Sequence, residues 1–207
     1  TIGRLVRKNG TIFHVDGVQA AGKIPLNLKN APIDLFSISG HKLNASKGVG
    51  ALYVRKGTKI RPIIVGGHQE RGRRAGTENV AAVAGMGVAC ELAAAGIAEE
   101  DSRVRALRDR LEQGLLEAIP DCLANGSGAE RLPNTTNISF QYIEGEGILL
   151  LLDRVGVAAS SGSACTSGSL ESSHVLRAMG LPFTLTHGSI RFSLGRYNTA
   201  AEVEYVI

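Results

Sequence analysis

Ser37-Ile-Ser-Gly-His-Lys42 places a lysine in a setting of small and polar residues just after an apolar strand. An apolar run, residues 33–36, leads into it, and Gly48-Val-Gly50 follows Lys42 after a gap of five residues. A lysine at the mouth of a buried strand, beside small residues and a histidine, has the setting of a Schiff-base lysine. Its amine attacks a carbonyl only when neutral, so it needs a desolvated or cation-flanked site. The serine, glycine and histidine just before it offer hydroxyl, backbone and imidazole donors to a phosphate. A lone loop lysine is usually only solvated; here the flanking residues carry the assignment.

Working outward, Thr11-Ile-Phe-His-Val-Asp16 reads as a short strand ending in a carboxylate. Further strands are expected at 33–37 and 50–54, with Ala20-Ala-Gly22 and Pro25 breaking the pattern between the first two. Parallel-type apolar strands with helical material between them point to an α/β sheet. Ligands of such sheets sit beyond the carboxyl ends of the strands, which is where Asp16 and Lys42 fall. Asp16 has two readings: a cap for the following helix, or a carboxylate paired with a protonated pyridine nitrogen. Gln19, one helical turn on, is within reach of a ring oxygen.

Residues 34–50 resemble the lysine signature of the class V aminotransferase family of pyridoxal-phosphate enzymes. More narrowly, they resemble the cysteine desulfurases that supply sulfur for iron–sulfur clusters. The resemblance runs from about residue 12 to the C-terminus. It implies an aspartate-aminotransferase-like (fold type I) α/β architecture. Residues 1–95 would then belong to the large cofactor-binding domain, of which they are the C-terminal half. Residues 96–207 would form the small α/β domain that carries a cysteine loop. The resemblance implies pyridoxal 5'-phosphate as cofactor, with Lys42 bonded to it, Asp16 at the pyridine nitrogen, Gln19 at the ring oxygen, and Ser39 and His41 at the phosphate.

The chain has 207 residues, 43% of them hydrophobic but only 4% aromatic, and no tryptophan. Alanine, glycine, leucine and valine must therefore do most of the packing. A net charge of +4, dispersed along the chain, does not point to nucleic acid or membrane. Cys90, Cys122 and Cys165 are far apart and show no Cys-x-x-Cys spacing. That argues against a structural zinc site or a disulfide scaffold and for a reducing cytoplasm. The longest plain apolar run, residues 148–152, is too short for a bilayer, and no signal peptide is read at the start. Residues 81–96 are rich in small side chains but include Glu91, and read as a packed helix. Thr1 falls in what reads as mid-helix, so a fragment is expected. The family's threonine turn, ring-stacking histidine and substrate asparagine would all lie upstream.

Gly66-Gly-His-Gln-Glu-Arg-Gly-Arg-Arg-Ala-Gly-Thr77 is a basic, glycine-rich loop. It lacks interleaved aromatics, which argues against a nucleic-acid surface. By resemblance it crosses to a second copy of the chain, where Thr77 touches the partner's cofactor phosphate. Arg71, Arg73 and Arg74 would then line the entrance. A helix is expected at 78–96, a weak boundary at 94–99, and an amphipathic helix at 103–119 with Val104, Leu107, Leu111, Leu115 and Ile119 on one face, ended by Pro120. Beyond it the pattern predicts strands at 136–140, 157–160 and 189–193. Helices are predicted at 144–153, at 172–179 and from Thr199.

Ser160-Ser-Gly-Ser-Ala-Cys-Thr-Ser-Gly-Ser169 is the second chemical stretch. Most unpaired cysteines are inert core residues, which suits Cys90 and Cys122. Cys165 lies among serine and glycine, where a thiol is exposed enough to react. Residues 160–179 resemble the catalytic-cysteine segment of the nitrogen-fixation and housekeeping branch of the desulfurases, and Ser173-His-Val-Leu-Arg-Ala-Met-Gly180 leans towards the nitrogen-fixation type. By the same resemblance Arg191 grips the substrate carboxylate, with Arg196 as runner-up.

The expectation is therefore a homodimeric, cytoplasmic desulfurase. It takes sulfur from L-cysteine, leaves L-alanine, and holds a persulfide on Cys165 for an iron–sulfur scaffold or other acceptor protein. No fixed metal is expected, although Cys165 contacts a transient cluster in this reading. Competing readings are a selenocysteine lyase or other class V enzyme, a catalytically silent dimerisation or docking fragment, and a redox-thiol protein. The last leaves Lys42, Asp16 and Gln19 without a purpose.

Overall fold

Asp34 starts the first sheet. Its carboxylate accepts the Phe13 N–H at 2.9 Å, while the N–H groups of Asp34 and Leu35 both donate to the Phe13 carbonyl. This closes the head of the ladder, so β1 is only His14–Asp16 and β2 is Leu35–Ser39, both starting later than the sequence pattern predicts. β3 is Gly50–Val54. The order is β1-β2-β3, with β1 parallel to β2 and β3 antiparallel to it. The expectation of parallel-type strands is corrected at β3. The ten residues 40–49 are too few for a crossover helix, so the chain folds straight back.

The computed structural model describes residues 2–161 and 173–207. It divides into two units, Thr1–Ala98 and Glu99–Ile207, each with its own three-stranded sheet. In the first, α1 (Ile2–Lys8) precedes the sheet. Arg55, just past β3, donates to the carbonyls of Leu28, Ala31 and Ile33 at 2.6, 2.6 and 2.7 Å. One guanidinium thus satisfies three loop acceptors and ties that loop to the strand end. α2 is the single turn Gln69–Gly72, in which Glu70 and Arg71 take left-handed φ values of 51° and 59°.

α3 (Val80–Ala118) is one continuous helix of 39 residues, where the sequence predicts two helices and a boundary at 94–99. That stretch holds no proline, and its one glycine, Gly96, costs only about 1 kcal/mol against alanine. Surrounding alanines and glutamates carry the helix through. Ala82, Met86, Ala89 and Ala93 are buried at helical spacing within the first unit, and Val104, Arg108, Leu111 and Leu115 within the second. By length and composition α3 would also suffice to cross a membrane. The buried stripe and Glu91 are what an alanine-rich packed helix shows.

In the second unit β4 (Cys122–Ala124), β5 (Thr135–Phe140) and β6 (Ser189–Ser193) form an antiparallel sheet in sequence order. Ile138 and Phe140 alternate with Ile190 and Phe192 on one face. They pack with Val104, Leu111, Leu115 and Val203, and Ile138, Val104 and Ile190 are fully buried. α4 (Gly145–Arg154), α5 (His174–Ala178), α6 (Phe183–His187) and α7 (Ala200–Val206) complete it. β4 and α6 have no counterpart in the sequence reading. Thr199 does open the last helix, through a capping box with Glu202. The strand expected at 157–160 is reduced to a single bridge at Ser160. The N–H groups of Gly156 (φ 79°) and Val157 are used to close α4, bonding Asp153 and Leu152, so no ladder starts there.

A charged strap crosses this unit. Arg131 grips Glu112 through two hydrogen bonds of 2.7 and 3.0 Å, and the Thr136 hydroxyl donates to the same carboxylate. Buried Arg108 bonds the Leu132 and Thr135 carbonyls. The Arg131 hydrogen bonds hold the Glu112 carboxyl below its ordinary value, with Thr136 adding to the shift against the desolvation penalty. A lowered acid contributes stability above its unfolded value and loses it as pH falls through its folded one. Glu112→Gln should therefore cost about 2 kcal/mol at neutral pH in urea melts, and the difference from wild type should shrink as the pH drops below the ordinary glutamate range.

Candidate functional site

In the first unit the parallel pairing sets Asp16, the last residue of β1, opposite Ser37 in the middle of β2. β2 continues into a 3-10 turn, Gly40–Leu43, which carries His41 and Lys42. Leu43 is buried against Ala89 and Ala93 of α3, with Ala21, Ala45 and Cys90 around them. This contact fixes the turn, and Asn44 ends it in the left-handed region at φ 64°. Gly22 (φ 72°) leaves room for it, since a Cβ there would stand 2.5 Å from Leu43 Cδ2. Lys42 itself is exposed. The desolvation that the sequence reading asks for at this lysine is therefore not supplied by the residues around it, because only the next side chain, Leu43, turns inward.

The polar side chains at this end are held by short hydrogen bonds. Ser39 Oγ and His41 Nδ1 lie 2.8 Å apart. With Lys47 and Gly48-Val-Gly50 they line an open groove. Asp16 Oδ1 accepts the Val18 N–H at 3.0 Å, a local turn bond that leaves the exposed carboxylate other lone pairs to use. Asp16 thus caps the turn after β1 and faces solvent. Gln19 is exposed in that turn. Thr77 is exposed in the segment before α3, next to Gly76, whose N–H bonds Gln69 Oε1.

Sequence reasoning missed two members. His14 Nε2 and Ser37 Oγ are 2.8 Å apart, which places an imidazole beside Asp16 on the same face of β1. The two-residue spacing of His14 and Asp16 on a strand is the signal that would have found it. Lys47 lines the groove with Ser39 and His41, with no motif to mark it. A hydroxyl, an imidazole and an ammonium form a donor set that suits a phosphate monoester. An exposed carboxylate suits a pyridinium N–H, and a primary amine suits an aldehyde. The residues present therefore fit pyridoxal phosphate. Among the described residues no trio of His, Cys, Asp or Glu forms a metal site.

The second unit separates the two candidate arginines. Arg196 donates to Glu100, which is only 6% exposed, and the Arg196 carbonyl is taken by Arg103 at 2.6 Å. Arg196 is a structural tie. Arg191 stands on β6 between the buried Ile190 and Phe192, so its side chain projects from the opposite face. Cys122 donates its thiol proton to the Ile119 carbonyl, and burial pushes its pKa up, as befits an inert thiol. Cys165 lies outside the described residues.

Gly17 holds Asp16 in place from behind. A Cβ there would stand 1.8 Å from the buried Phe36 ring. Gly17→Ala should therefore destabilise the protein by about 1–3 kcal/mol, read as a lowered midpoint in thermal or urea unfolding.

Comparison with known proteins agrees with this geometry. The model of the class-V aminotransferase family matches residues 1–206. A cysteine desulfurase of Trichormus azollae is 64% identical over 206 residues, covering all of this chain and 52% of its own length. The cysteine desulfurase NifS of Azotobacter vinelandii is 58% identical, with 51% of its length covered. The solved structure of a NifS-like protein from Rickettsia africae superposes with a TM-score of 0.90 at 36% identity, over 99% of this chain and 54% of that one. The chain spans about half the length of the curated relatives it matches. The lysine turn beyond β2, the carboxylate at the end of β1 and the match over residues 1–206 agree: the chain belongs to the class-V aminotransferase family, with the α/β fold of its NifS-like members.

Proposed function

We propose that this chain carries the reacting amine and thiol of a pyridoxal-phosphate cysteine desulfurase, which converts L-cysteine to L-alanine and leaves a persulfide on the protein. The observation that carries the reading is the placement of Lys42 just past β2, beside a parallel strand that ends in Asp16. When bound, pyridoxal phosphate supplies a carbonyl for the amine and an electron sink for a carbanion. Lys42 holds it and, once displaced by substrate, moves the α-proton of cysteine. Asp16 balances the charge of a protonated ring nitrogen, and Gln19 donates to the ring oxygen. Ser39 and His41 take the phosphate, joined by Thr77 of a second copy. Arg191 grips the substrate carboxylate with its planar fork.

Cys165 thiolate then attacks the substrate sulfur. The S–S bond forms and the C–S bond breaks; the electron pair stays with the substrate carbon, which takes a proton and leaves as alanine. The same reading extends to a cytoplasmic homodimer that passes sulfur to an iron–sulfur scaffold or another acceptor, in nitrogen fixation or housekeeping, with Cys165 meeting a transient cluster. Support comes from the motif around Cys165, and from Cys90 and Cys122 being free thiols, as a reducing compartment allows.

A second reading has its own observation. Lys42, Asp16 and Gln19 are all exposed, and the chain spans about half of its relatives, which favours the reading of these residues by themselves as a silent docking piece. An absorbance scan of the 207-residue chain with added pyridoxal phosphate separates the two. A visible band that borohydride bleaches, leaving a pyridoxyl group fixed on Lys42, supports the site, and a colourless, lysine-unmodified chain supports the silent piece. In the full-length protein, Cys165→Ala should keep that band and lose sulfide and alanine release from cysteine. Full activity in the variant would sink the role of Cys165.

A further inference from the structure

We propose that Ser160 is a positioning residue for Arg191, steadying one arm of its guanidinium so that the remaining N–H groups present a ready fork to an α-amino-acid carboxylate. The inference rests on the reading of Arg191 as the carboxylate-binding residue and adds the group that sets its aim.

On one side Arg191 pairs with Asn137 of β5. On the other it forms an isolated two-way bridge with Ser160: the Arg191 N–H donates to the Ser160 carbonyl at 2.6 Å, and the Ser160 N–H donates back at 3.2 Å. The backbone on both sides of the arginine is therefore fixed. Arg191 Nη2 then donates to Ser160 Oγ at 3.3 Å. Its Nε and Nη1 have no hydrogen-bond partner among the described residues, and neither is a buried, unsatisfied atom. Among the described residues, the guanidinium is held by one arm and open at the rest.

That arrangement differs from the other buried or half-buried arginines of the unit. Arg108, Arg131 and Arg196 each meet a carboxylate that neutralises them, and Arg103 spends both terminal nitrogens on backbone carbonyls. Among the described residues, the Arg191 side chain bonds only a neutral hydroxyl. A neutral acceptor orients a cation without cancelling its charge, so an incoming carboxylate still meets a full positive group. A free arginine side chain gives up rotamer freedom when it binds, and prior ordering removes part of that penalty.

The test uses the full-length holoenzyme and steady-state turnover of L-cysteine. Ser160→Ala should raise KM by about 3- to 10-fold, the worth of one neutral hydrogen bond, with kcat within about 2-fold. Ser160→Thr keeps the hydroxyl and should restore KM. Adding Ser160→Ala to Arg191→Lys should cause no further rise, because the group that it positions is already gone. An unchanged KM in Ser160→Ala overturns the assignment. So does a fall in kcat and melting temperature that threonine does not rescue, since that marks a purely structural residue. A wild-type enzyme that makes no alanine from cysteine sinks the proposed function, and this inference with it. An active wild type with an indifferent Ser160→Ala sinks the Ser160 role alone.

Discussion

Three residue pairs between β1 and β2, His14 with Leu35, Val15 with Phe36 and Asp16 with Ser37, set where the polar side chains of these two strands stand. Side chains alternate along a strand, so a slip of one residue would turn Asp16 and His14 to the other face. Asp34 prevents the slip by taking the Phe13 N–H into its carboxylate at the head of the ladder. Phe36 pins the same register from beneath, because its ring fills the space that any side chain at residue 17 would need. The exposed carboxylate, the imidazole and the lysine turn all follow from that one pairing.

Small residues do the work that large ones do elsewhere. With 4% aromatics, the first unit builds its contacts from alanine and glycine, and the 3-10 turn is held by one leucine set into an alanine face. Close approach of backbones replaces bulk, so positions such as Gly17 and Gly22 carry more structural weight than their size suggests. The second unit is built on a different plan. Its core is a conventional face of Ile138, Phe140, Ile190 and Phe192, reinforced by charged straps in which arginines satisfy buried carbonyls and carboxylates. Against that background Arg191, among the described residues, meets a hydroxyl and no carboxylate.

The candidate site residues could be grouped from the chain itself. Ser39, His41 and Lys42 lie within four consecutive residues, and Asp16 with Gln19 within another four, so local spacing alone brought each set together. The α/β class and most strand and helix positions followed from periodicity, because alternation and helical spacing are written directly in the order of residues. The cap at Thr199 was equally local.

What the order of residues could not decide were choices settled between segments distant in the chain. The direction of β3 depended on the length of the loop before it and on pairing with β2. The continuity of α3 through residues 94–99 depended on a glycine too weak to stop it, where a local reading saw a boundary. The partners of Arg191 and Arg196 were invisible in sequence, which ranked Arg191 first by resemblance alone. Only the fold brings Glu100 and Arg103 against Arg196 and leaves Ser160 beside Arg191. Spacing along a chain encodes what neighbours can do together; which distant partner neutralises a charge is decided by packing, because that energy exists only once the segments meet.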